Sequence, residues 1–363
     1  MSSGPVAYSL RRMPQVSLAA CQVHVTFDDY ASEESFNQML DRVGRRLSAL
    51  RAAAGDRECL AVFPEMIGAF LPVVGHAPLA RLARTVDGAM ALIGARSLPA
   101  LVSAMLRGRA GSPKVGLLLA AAPEVRRIYR DAFRRFAREQ GAWVVAGSAL
   151  LPRNAHGDLA DRFEPQDGRV YNTSYAFDPE GRHVGCVRKV NLVPALETGL
   201  GVSPGRPDEL RPFETPFGPV GTLICYDGFH IPHTRGEPGF CRLAARYDAQ
   251  GCTVLAQPAA NPWPWEEPWV FAEPGETQLR REQWHCEGLF AQLAAGRFEN
   301  IRYAVVPQLV GGVMDARFDG RSNIVAVLAE NPGGARVIAE AERAEAAPDA
   351  EEVVLRTVSI GNS

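Results

Sequence analysis

Several features that often reveal a protein's role are missing from this sequence. Basic residues are not in excess, because 39 Lys and Arg stand against 41 Asp and Glu, so a nucleic-acid partner is not expected. The longest apolar run near the middle, Val115 to Pro123, is much shorter than the roughly 20 residues of a membrane span. No apolar segment of signal-peptide length lies in the first fifteen residues. We therefore expect a cytoplasmic protein without a membrane span.

The cysteines also lack the pattern of a structural site. There are seven, an odd number, and no Cys-x-x-Cys pair occurs among them. A chain of 363 residues does not need disulfides for its stability, so we expect reduced thiols. The sequence has no His-x-x-x-His motif and no Gly-x-Gly-x-x-Gly motif after a predicted strand. The sequence therefore gives no signal for a metal or a cofactor, and we expect none.

The sequence does contain a regular alternation of apolar segments. Apolar residues make up 47% of the chain, enough for a large core. Gln15–Val25 predicts a buried strand, and the next apolar segment has helical spacing. Ser32 is placed to cap that helix, and Glu33 and Glu34 suit its positive N-terminus. A short strand, Cys59–Phe63, follows. This strand–helix–strand order predicts an α/β protein.

The stretch GTLICYDGFH, residues 221–230, places a thiol at the end of a strand. Val220–Ile224 predicts a buried strand, and Cys225 follows it before a turn. A thiol held by a rigid sheet while its sulfur faces a cavity suits nucleophilic catalysis, because the reactive thiolate needs a fixed partner. Free cysteine is also among the most buried residue types, so packing alone is the alternative.

Two charged residues follow other predicted strands. Glu65 comes after the strand Cys59–Phe63, and Lys189 ends a predicted hairpin formed by Tyr171–Phe177 and His183–Arg188. A charge at the end of a buried strand is either held in a site or solvated at the sheet edge. Solvation is the alternative for both residues, because Glu and Lys are mostly exposed in proteins.

Two segments depart from the alternating pattern. Residues 71–124 are apolar but rich in proline, and Leu79–Leu106 predicts one or two amphipathic helices. We interpret this segment as a helical insertion that packs on the domain or makes an oligomer contact. A lid over the substrate or a contact with a membrane surface is the alternative. Clearer helices are predicted over Val125–Gln140, Gly239–Gln250 and Glu282–Arg297. Residues 340–363, acidic and alanine-rich at their start, predict a weakly ordered tail.

Three motifs in order along the chain resemble those of the nitrilase, or carbon–nitrogen hydrolase, superfamily. They are Phe63-Pro64-Glu65, Arg188-Lys189-Val190-Asn191-Leu192 and Ile224-Cys225-Tyr226-Asp227. Further matches are Tyr171-Asn172, Gly181, Glu197 with Pro204-Gly205, and Arg297-Phe298-Glu299-Asn300. The resemblance extends from about residue 15 to 339, apart from the insertion. It implies a single domain over residues 1–363, α/β (α+β) in class, with the four-layer α-β-β-α sandwich of the nitrilase type.

The resemblance implies a catalytic role for four residues. Cys225 would attack the substrate carbon, and Glu65 would accept the thiol proton and later activate water. Lys189, together with the backbone N–H of Tyr226, would stabilise the oxyanion. Glu197 matches a second glutamate that orients the lysine and the substrate. These buried charges would be tolerated because they neutralise one another.

Tyr226, His230 and Trp263 are the candidates for substrate binding. The sequence Gly228-Phe229-His230-Ile231-Pro232 departs from the usual family continuation after the cysteine, and it places His230, with His233, near the nucleophile. Trp263 and its neighbour Trp265 suit the aromatic wall of a ligand pocket. The alternatives are loop histidines for the former pair and core or dimer packing for the tryptophans.

The resemblance also restricts the reaction and the partners. Cys-Tyr-Asp resembles the amidase and carbamoylase branches, whereas nitrilases usually carry Cys-Trp-Glu. It implies hydrolysis of a small-molecule amide or carbamoyl amide, with nitrile hydrolysis or acyl transfer to an amine by the same triad as alternatives. An alternative of another class is a catalytically silent binding or scaffold subunit. The family further implies a homodimer or a higher homo-oligomer.

Overall fold

A computed structural model describes residues 14–55, 57–108, 110–194, 196–234, 236–237, 239–271, 275, 277–327, 334–344 and 347–360. The strands in these residues are β1 (Gln15–Val25), β2 (Glu58–Val62), β3 (Trp143–Val145), β4 (Ala149–Leu151), β5 (Tyr171–Phe177), β6 (His183–Arg188), β7 (Val220–Thr222), β8 (Val254–Ala256), β9 (Ala259–Ala260), β10 (Tyr303–Val306), β11 (Gln308–Val313), β12 (Ala316–Phe318), β13 (Asn323–Val327), β14 (Ala335–Glu340) and β15 (Glu352–Ser359). The helices are α1 (Glu33–Ala54), α2 (Ala77–Ala80), α3 (Val86–Arg96), α4 (Leu98–Gly108), α5 (Pro113–Gln140), α6 (Ala244–Asp248), α7 (Arg280–Glu287) and α8 (Leu289–Ala294).

The strands of the described residues form two sheets. The first sheet has the order β12-β11-β1-β2-β3-β5-β4, with β15, β6 and β9 paired to β1, β5 and β11. The second sheet has the order β14-β13-β10-β8-β7. In the first sheet β1 runs parallel to β2 and to β11, as connections through helices and long segments require. The catalytic candidates lie just beyond the ends of β2, β6 and β7.

Three apolar clusters separate four layers. Along β2, Cys59 and Ala61 pack towards α1 and α5, whereas Leu60 and Val62 point to the opposite side. That opposite side meets residues of the second sheet such as Val254. The other face of the second sheet is covered by residues of the α7–α8 region. The alternation of side chains on each strand therefore produces the predicted α-β-β-α order.

Helix boundaries differ from the sequence prediction in three places. Helix α5 begins at Pro113, twelve residues before the predicted start at Val125, and it continues through Pro123. Proline removes one helical hydrogen bond, but buried residues on both sides of it hold the helix together. The helix predicted over Glu282–Arg297 is divided at Gly288 into α7 and α8. The helix predicted over Gly239–Gln250 is reduced to α6.

The prediction of a weakly ordered acidic tail is wrong for most of the tail that the structure describes. Glu352–Ser359 forms β15, which pairs antiparallel with β1 from Gln15↔Ser359 to Gln22↔Glu352. Val354 and Val358 are buried in the cluster between the two sheets. The sequence did not predict this strand for two reasons. Acidic residues precede it and made its apolar alternation difficult to recognise, and its partner strand is more than 300 residues away in sequence.

The predicted insertion is helical and packs on the domain. It contains α2, α3 and α4 and continues into the first half of α5. Val115, Leu118 and Leu119 of α5 form a cluster with Leu150, Val170 and Val202. No helix among the described residues is long and apolar enough to cross a membrane.

Candidate active site

Cys225 lies in a strained turn at the end of the second sheet's β7. Its φ is +50°, a left-handed conformation that a residue other than glycine seldom adopts. The turn is fixed by backbone bonds, because the Cys225 N–H donates to Pro258 and its carbonyl accepts from Gln257 Nε2 at 2.7 Å. The Cys225 Sγ lies 3.9 Å from the carbonyl oxygen of Ala260. The sulfur is thus held in one direction before any substrate binds.

Glu65 reaches the same place from the first sheet. A tight turn at Pro64 follows β2 and packs against Gly147. Any larger residue at position 147 would clash, because its Cβ would lie 2.0 Å from the Pro64 carbonyl oxygen. The Glu65 side chain is buried, and its Oε1 accepts hydrogen bonds from Lys189 Nζ and from Asn172 Nδ2, both at 2.8 Å. The Cys225 thiol lies near this carboxylate, because the two groups shift each other's pKa. The structure therefore places Glu65 in the neighbourhood of Cys225.

Lys189 is the positive centre of the cluster. It follows β6 and is 1% exposed, and its Nζ lies 2.8 Å from Glu65 Oε1 and 2.6 Å from Glu197 Oε2. Burial opposes the charge on Lys189, but the carboxylates of Glu197 and Glu65 outweigh it and raise the lysine pKa well above its ordinary value. Lys189 is therefore an ammonium ion at neutral pH.

The carboxyl group of Glu65 and the thiol of Cys225 both have raised pKa values. Burial raises the pKa of Glu65, with Lys189 acting in the opposite direction. Burial, followed by the negative charge of Glu65, also raises the pKa of the Cys225 thiol well above its ordinary range. Cys225 is therefore a thiol at neutral pH. A thiol can act as a nucleophile only if a base accepts its proton, and Glu65 is a carboxylate near it that could do so.

Asn172 was not predicted as a functional residue, although it was noted as a family match. It is the second residue of β5 and is fully buried, and its Nδ2 donates to Glu65 Oε1 and to Glu197 Oε1, both at 2.8 Å. It thus joins the two carboxylates that flank Lys189. The available signal was a run of polar residues in the buried strand Tyr171–Phe177.

Asp227 is a second residue that the sequence analysis did not place in the site. Its carboxylate accepts backbone N–H bonds from Val190 and from Asn191, the latter at 2.7 Å. It therefore ties the loop after Lys189 to the turn that carries Cys225. Burial raises the pKa of Asp227 to about 7, although the two backbone donors act in the opposite direction.

The side chains of the predicted substrate-binding residues lie at different places. The Tyr226 hydroxyl donates to Glu237 Oε2 at 2.8 Å, and its ring stacks on His233 with centroids 3.8 Å apart. The His230 ring contacts the backbone carbonyl of Glu287. Of the two histidines, His233 is the buried one, and its pKa is lowered by burial and then by the charges of Arg280 and Lys189. His233 therefore faces the cationic part of the site.

Trp263 belongs to an aromatic cluster with a buried cation. Its ring lies 5.0 Å from that of Trp269, and both rings contact the guanidinium of Arg280. Trp265 is instead buried against Trp284. Arg280 was missed because nothing in the local sequence distinguishes it from the adjacent Arg281. No cluster of possible metal ligands occurs in the part of the chain that the structure describes.

Comparison with known proteins identifies the family. The sequence model of the carbon–nitrogen hydrolases matches residues 17–235, which is more than half of the chain. Omega-amidase NIT2 of Xenopus tropicalis is 32% identical over 131 residues, which cover 34% of this chain and 38% of that protein. The match thus spans less than half the length of this relative.

Two solved structures share the fold over nearly the whole chain. A carbon–nitrogen hydrolase from Helicobacter pylori G27 is 15% identical, with 96% of this chain and 90% of that chain covered and a TM-score of 0.55. An amidase from Nesterenkonia sp. AN1, in a form with acrylamide added at its active-site cysteine, is 15% identical, with 94% and 92% covered and a TM-score of 0.51. The chain therefore belongs to the carbon–nitrogen hydrolase family, as its three motifs predicted.

Proposed function

We propose that the protein hydrolyses the carbon–nitrogen bond of a small amide through a thioester on Cys225. The observation that carries this proposal is the buried cluster around Glu65, in which Lys189 donates a hydrogen bond to the carboxylate and the Cys225 thiol lies close enough for the two groups to shift each other's pKa. A base, a fixed cation and a nucleophile are the three groups that acyl transfer to sulfur requires. The relatives are consistent with it, since one is an omega-amidase and another an amidase with an active-site cysteine.

The first half of the reaction forms the thioester. Sγ of Cys225 attacks the amide carbonyl carbon while the thiol proton passes to Glu65. The carbonyl oxygen becomes an oxyanion, which Lys189 stabilises together with the backbone N–H of Tyr226. Collapse of the tetrahedral intermediate breaks the carbon–nitrogen bond, and the proton on Glu65 transfers to the departing nitrogen. Ammonia or an amine leaves, and the acyl group remains on sulfur.

The second half returns the enzyme to its starting state. Glu65 accepts a proton from a water molecule, whose oxygen attacks the thioester carbon. The same oxyanion contacts stabilise the second tetrahedral intermediate. Its collapse breaks the carbon–sulfur bond, the carboxylic acid leaves, and the proton returns to the sulfur. Glu197 and Asn172 keep Lys189 and Glu65 in place, through the ion pair between Glu197 and Lys189 and the hydrogen bond from Asn172 to Glu65.

The test combines activity with trapping of the intermediate. The wild-type chain is expected to release ammonia from members of a panel of small amides, and Cys225→Ala is expected to abolish this release. In Glu65→Gln the base is lost, so turnover should fall by at least ~10³-fold. Intact-protein mass spectrometry should detect an acyl adduct on Cys225 in the wild type during turnover, and none in Cys225→Ala.

The same panel separates the alternatives. Acyl release from nitriles in preference to amides would favour nitrile hydrolysis. Formation of a hydroxamate in hydroxylamine, with little free acid in its absence, would favour acyl transfer to an amine. A chain that forms no adduct with any amide or nitrile would contradict the proposal and favour a binding or scaffold role. The predicted homo-oligomer is a separate question, which sedimentation velocity addresses.

A further inference from the structure

Helix α4 of the insertion exposes an apolar stripe, formed by Leu98, Val102 and Leu106. These side chains are 54%, 45% and 75% exposed, and they recur at every fourth residue. They therefore lie on one side of the helix, over a length of about 12 Å. Among the described residues nine large apolar side chains are exposed, and four of these lie between Leu82 and Leu106. Single exposed apolar residues are ordinary in proteins, but a contiguous group indicates a contact surface.

The opposite side of α4 is already occupied by the domain. Leu101 and Met105 pack on Gly116 of α5, so closely that a Cβ at this glycine would collide with Met105. Ala104 packs on the apolar cluster at the start of α5. These contacts fix the rotation of α4 about its axis, because turning the helix would break them. The apolar stripe therefore faces away from the domain.

The segment that carries the stripe is basic, whereas the chain as a whole has a net charge of -2. Residues 88–123 contain no Asp or Glu, and their basic residues are Arg96, Arg107, Arg109 and Lys114. A stretch of one charge sign beside an exposed apolar stripe is the composition of a helix that lies on a negatively charged surface.

Two exposed arginines of the insertion have no internal counter-charge in the described part of the chain. Arg96 ends α3 and lies two residues before Leu98, and Arg84 precedes the start of α3. Neither forms an ion pair with a described residue, whereas Lys114 pairs with Asp87 at 2.9 Å. The positive charge of Arg84 and Arg96 is therefore available to an external partner.

We propose that the outer face of α4 docks on the surface of an anionic phospholipid bilayer. The apolar stripe enters the boundary between headgroups and acyl chains, and Arg96 contacts the negative headgroups. A helix that lies in this boundary needs an apolar side and cationic residues, but not the length of a membrane span. A second copy of the chain fits the face less well, because a two-fold contact would bring the same basic segment opposite itself. This inference does not depend on the proposed hydrolysis.

Vesicle flotation tests the docking. The vesicles are phosphatidylcholine with about one-third phosphatidylglycerol, or phosphatidylcholine alone, which binds at least ~10-fold more weakly if the charges matter. The stripe variant, Leu98→Gln with Val102→Gln and Leu106→Gln, should lower binding to the anionic vesicles by at least ~30-fold, because it removes the apolar area that is buried. Arg84→Gln with Arg96→Gln should lower this binding by roughly 10- to 30-fold and weaken its dependence on salt.

Matched controls change similar residues outside the insertion. Leu50→Gln with Leu159→Gln and Val270→Gln removes three exposed apolar side chains that lie far apart in the sequence. Arg45→Gln with Arg336→Gln removes two exposed positive charges. Both controls should bind the anionic vesicles within ~2-fold of the wild type, because neither changes the docking face. The urea midpoint should stay unchanged in all four variants, since every altered side chain is exposed, and this separates docking from folding.

The outcomes distinguish this inference from the proposed function and from a contact between copies. Cys225→Ala should bind the vesicles as the wild type does, so a failure of hydrolysis and a failure of docking are observed separately. Equal vesicle binding by the wild type and the stripe variant, or no binding to either kind of vesicle, would overturn the docking. If the wild type bound no vesicles but formed a homo-oligomer that the stripe variant abolished in sedimentation velocity, the face would be a contact between copies and the proposal would likewise be overturned.

Discussion

Replacing Asn172 tests whether the two carboxylates act as one unit. The substitution Asn172→Leu keeps the branched shape of the side chain and removes the Nδ2 donor that contacts Glu65 and Glu197 at 2.8 Å each. A hydrogen bond to a charged group contributes about 1.5–3 kcal/mol, and 1.36 kcal/mol corresponds to a factor of ten in rate. One such bond therefore corresponds to roughly 10- to 150-fold. We expect kcat/KM to fall about 100-fold, because the bond to Glu65 affects the reacting base directly.

The pH profile gives a second readout that a simple folding defect would not change. A donor to a carboxylate favours its charged form, so its removal should raise the pKa of Glu65 further above its ordinary value. The acid limb of kcat/KM should then move to higher pH in Asn172→Leu. Asn172→Asp, which adds a third buried carboxylate beside two others, should reduce both activity and stability more severely.

A matched control is available elsewhere in the chain. Asn154 is also buried, but its side chain donates to the loop carbonyls of Gly157 and Arg162 and does not contact the catalytic cluster. Asn154→Leu should lower the free energy of unfolding by about 1–3 kcal/mol without moving the acid limb of the pH profile. The reasoning about Asn172 would be refuted if Asn172→Leu retained activity within threefold, or if both variants gave the same pH profile.

Three further predictions follow from single positions. Gly147→Ala should displace the turn at Pro64 and reduce activity at least ~10-fold, as measured by kinetics. Gly75→Ala is the control, because Gly75 has a similar positive φ but no neighbour within 4 Å. It should lower the free energy of unfolding in urea by about 1–2 kcal/mol and leave kcat unchanged. Because the pKa of Asp227 is raised to about 7, the folded state binds more protons than the unfolded state between about pH 4 and 7. The stability of the wild type relative to Asp227→Asn should therefore fall as pH rises through this window, by up to about 1.4 kcal/mol per pH unit in urea titrations. A stability difference that does not change with pH would contradict the raised pKa of Asp227. Val354→Ala should destabilise the fold by about 1–3 kcal/mol in the same assay, because the Val354 side chain on β15 is buried between the two sheets; no effect would mean that β15 contributes little to the core.

The sequence was sufficient to find the residues that follow strands. Glu65, Lys189 and Cys225 each come after a short apolar segment, so local pattern and family resemblance agree, and the structure brings their side chains together. Asn172 and Arg280 could not be found in this way. The first is an interior strand residue whose partners are 107 and 25 positions away, and the second depends on aromatic residues of a separate loop. Such contacts arise from the tertiary arrangement alone.

The packing of the insertion is coupled to the position of Glu197, because helix α5 contacts the loop that carries this carboxylate. Val115, at the start of α5, is 5% exposed, and its Cγ2 lies so close to Gly201 that a Cβ there would approach it to 2.7 Å. Gly201 belongs to the loop that carries Glu197, and Leu192 and Leu200 of this segment pack on the same cluster. The contacts favour the packing interpretation of residues 71–124 over that of a separate lid, because moving α5 would also move the loop that holds the second carboxylate. Val115→Ala should therefore shift the loop that carries Glu197 and so change the pKa of Lys189. Its effect on access to the site should be smaller.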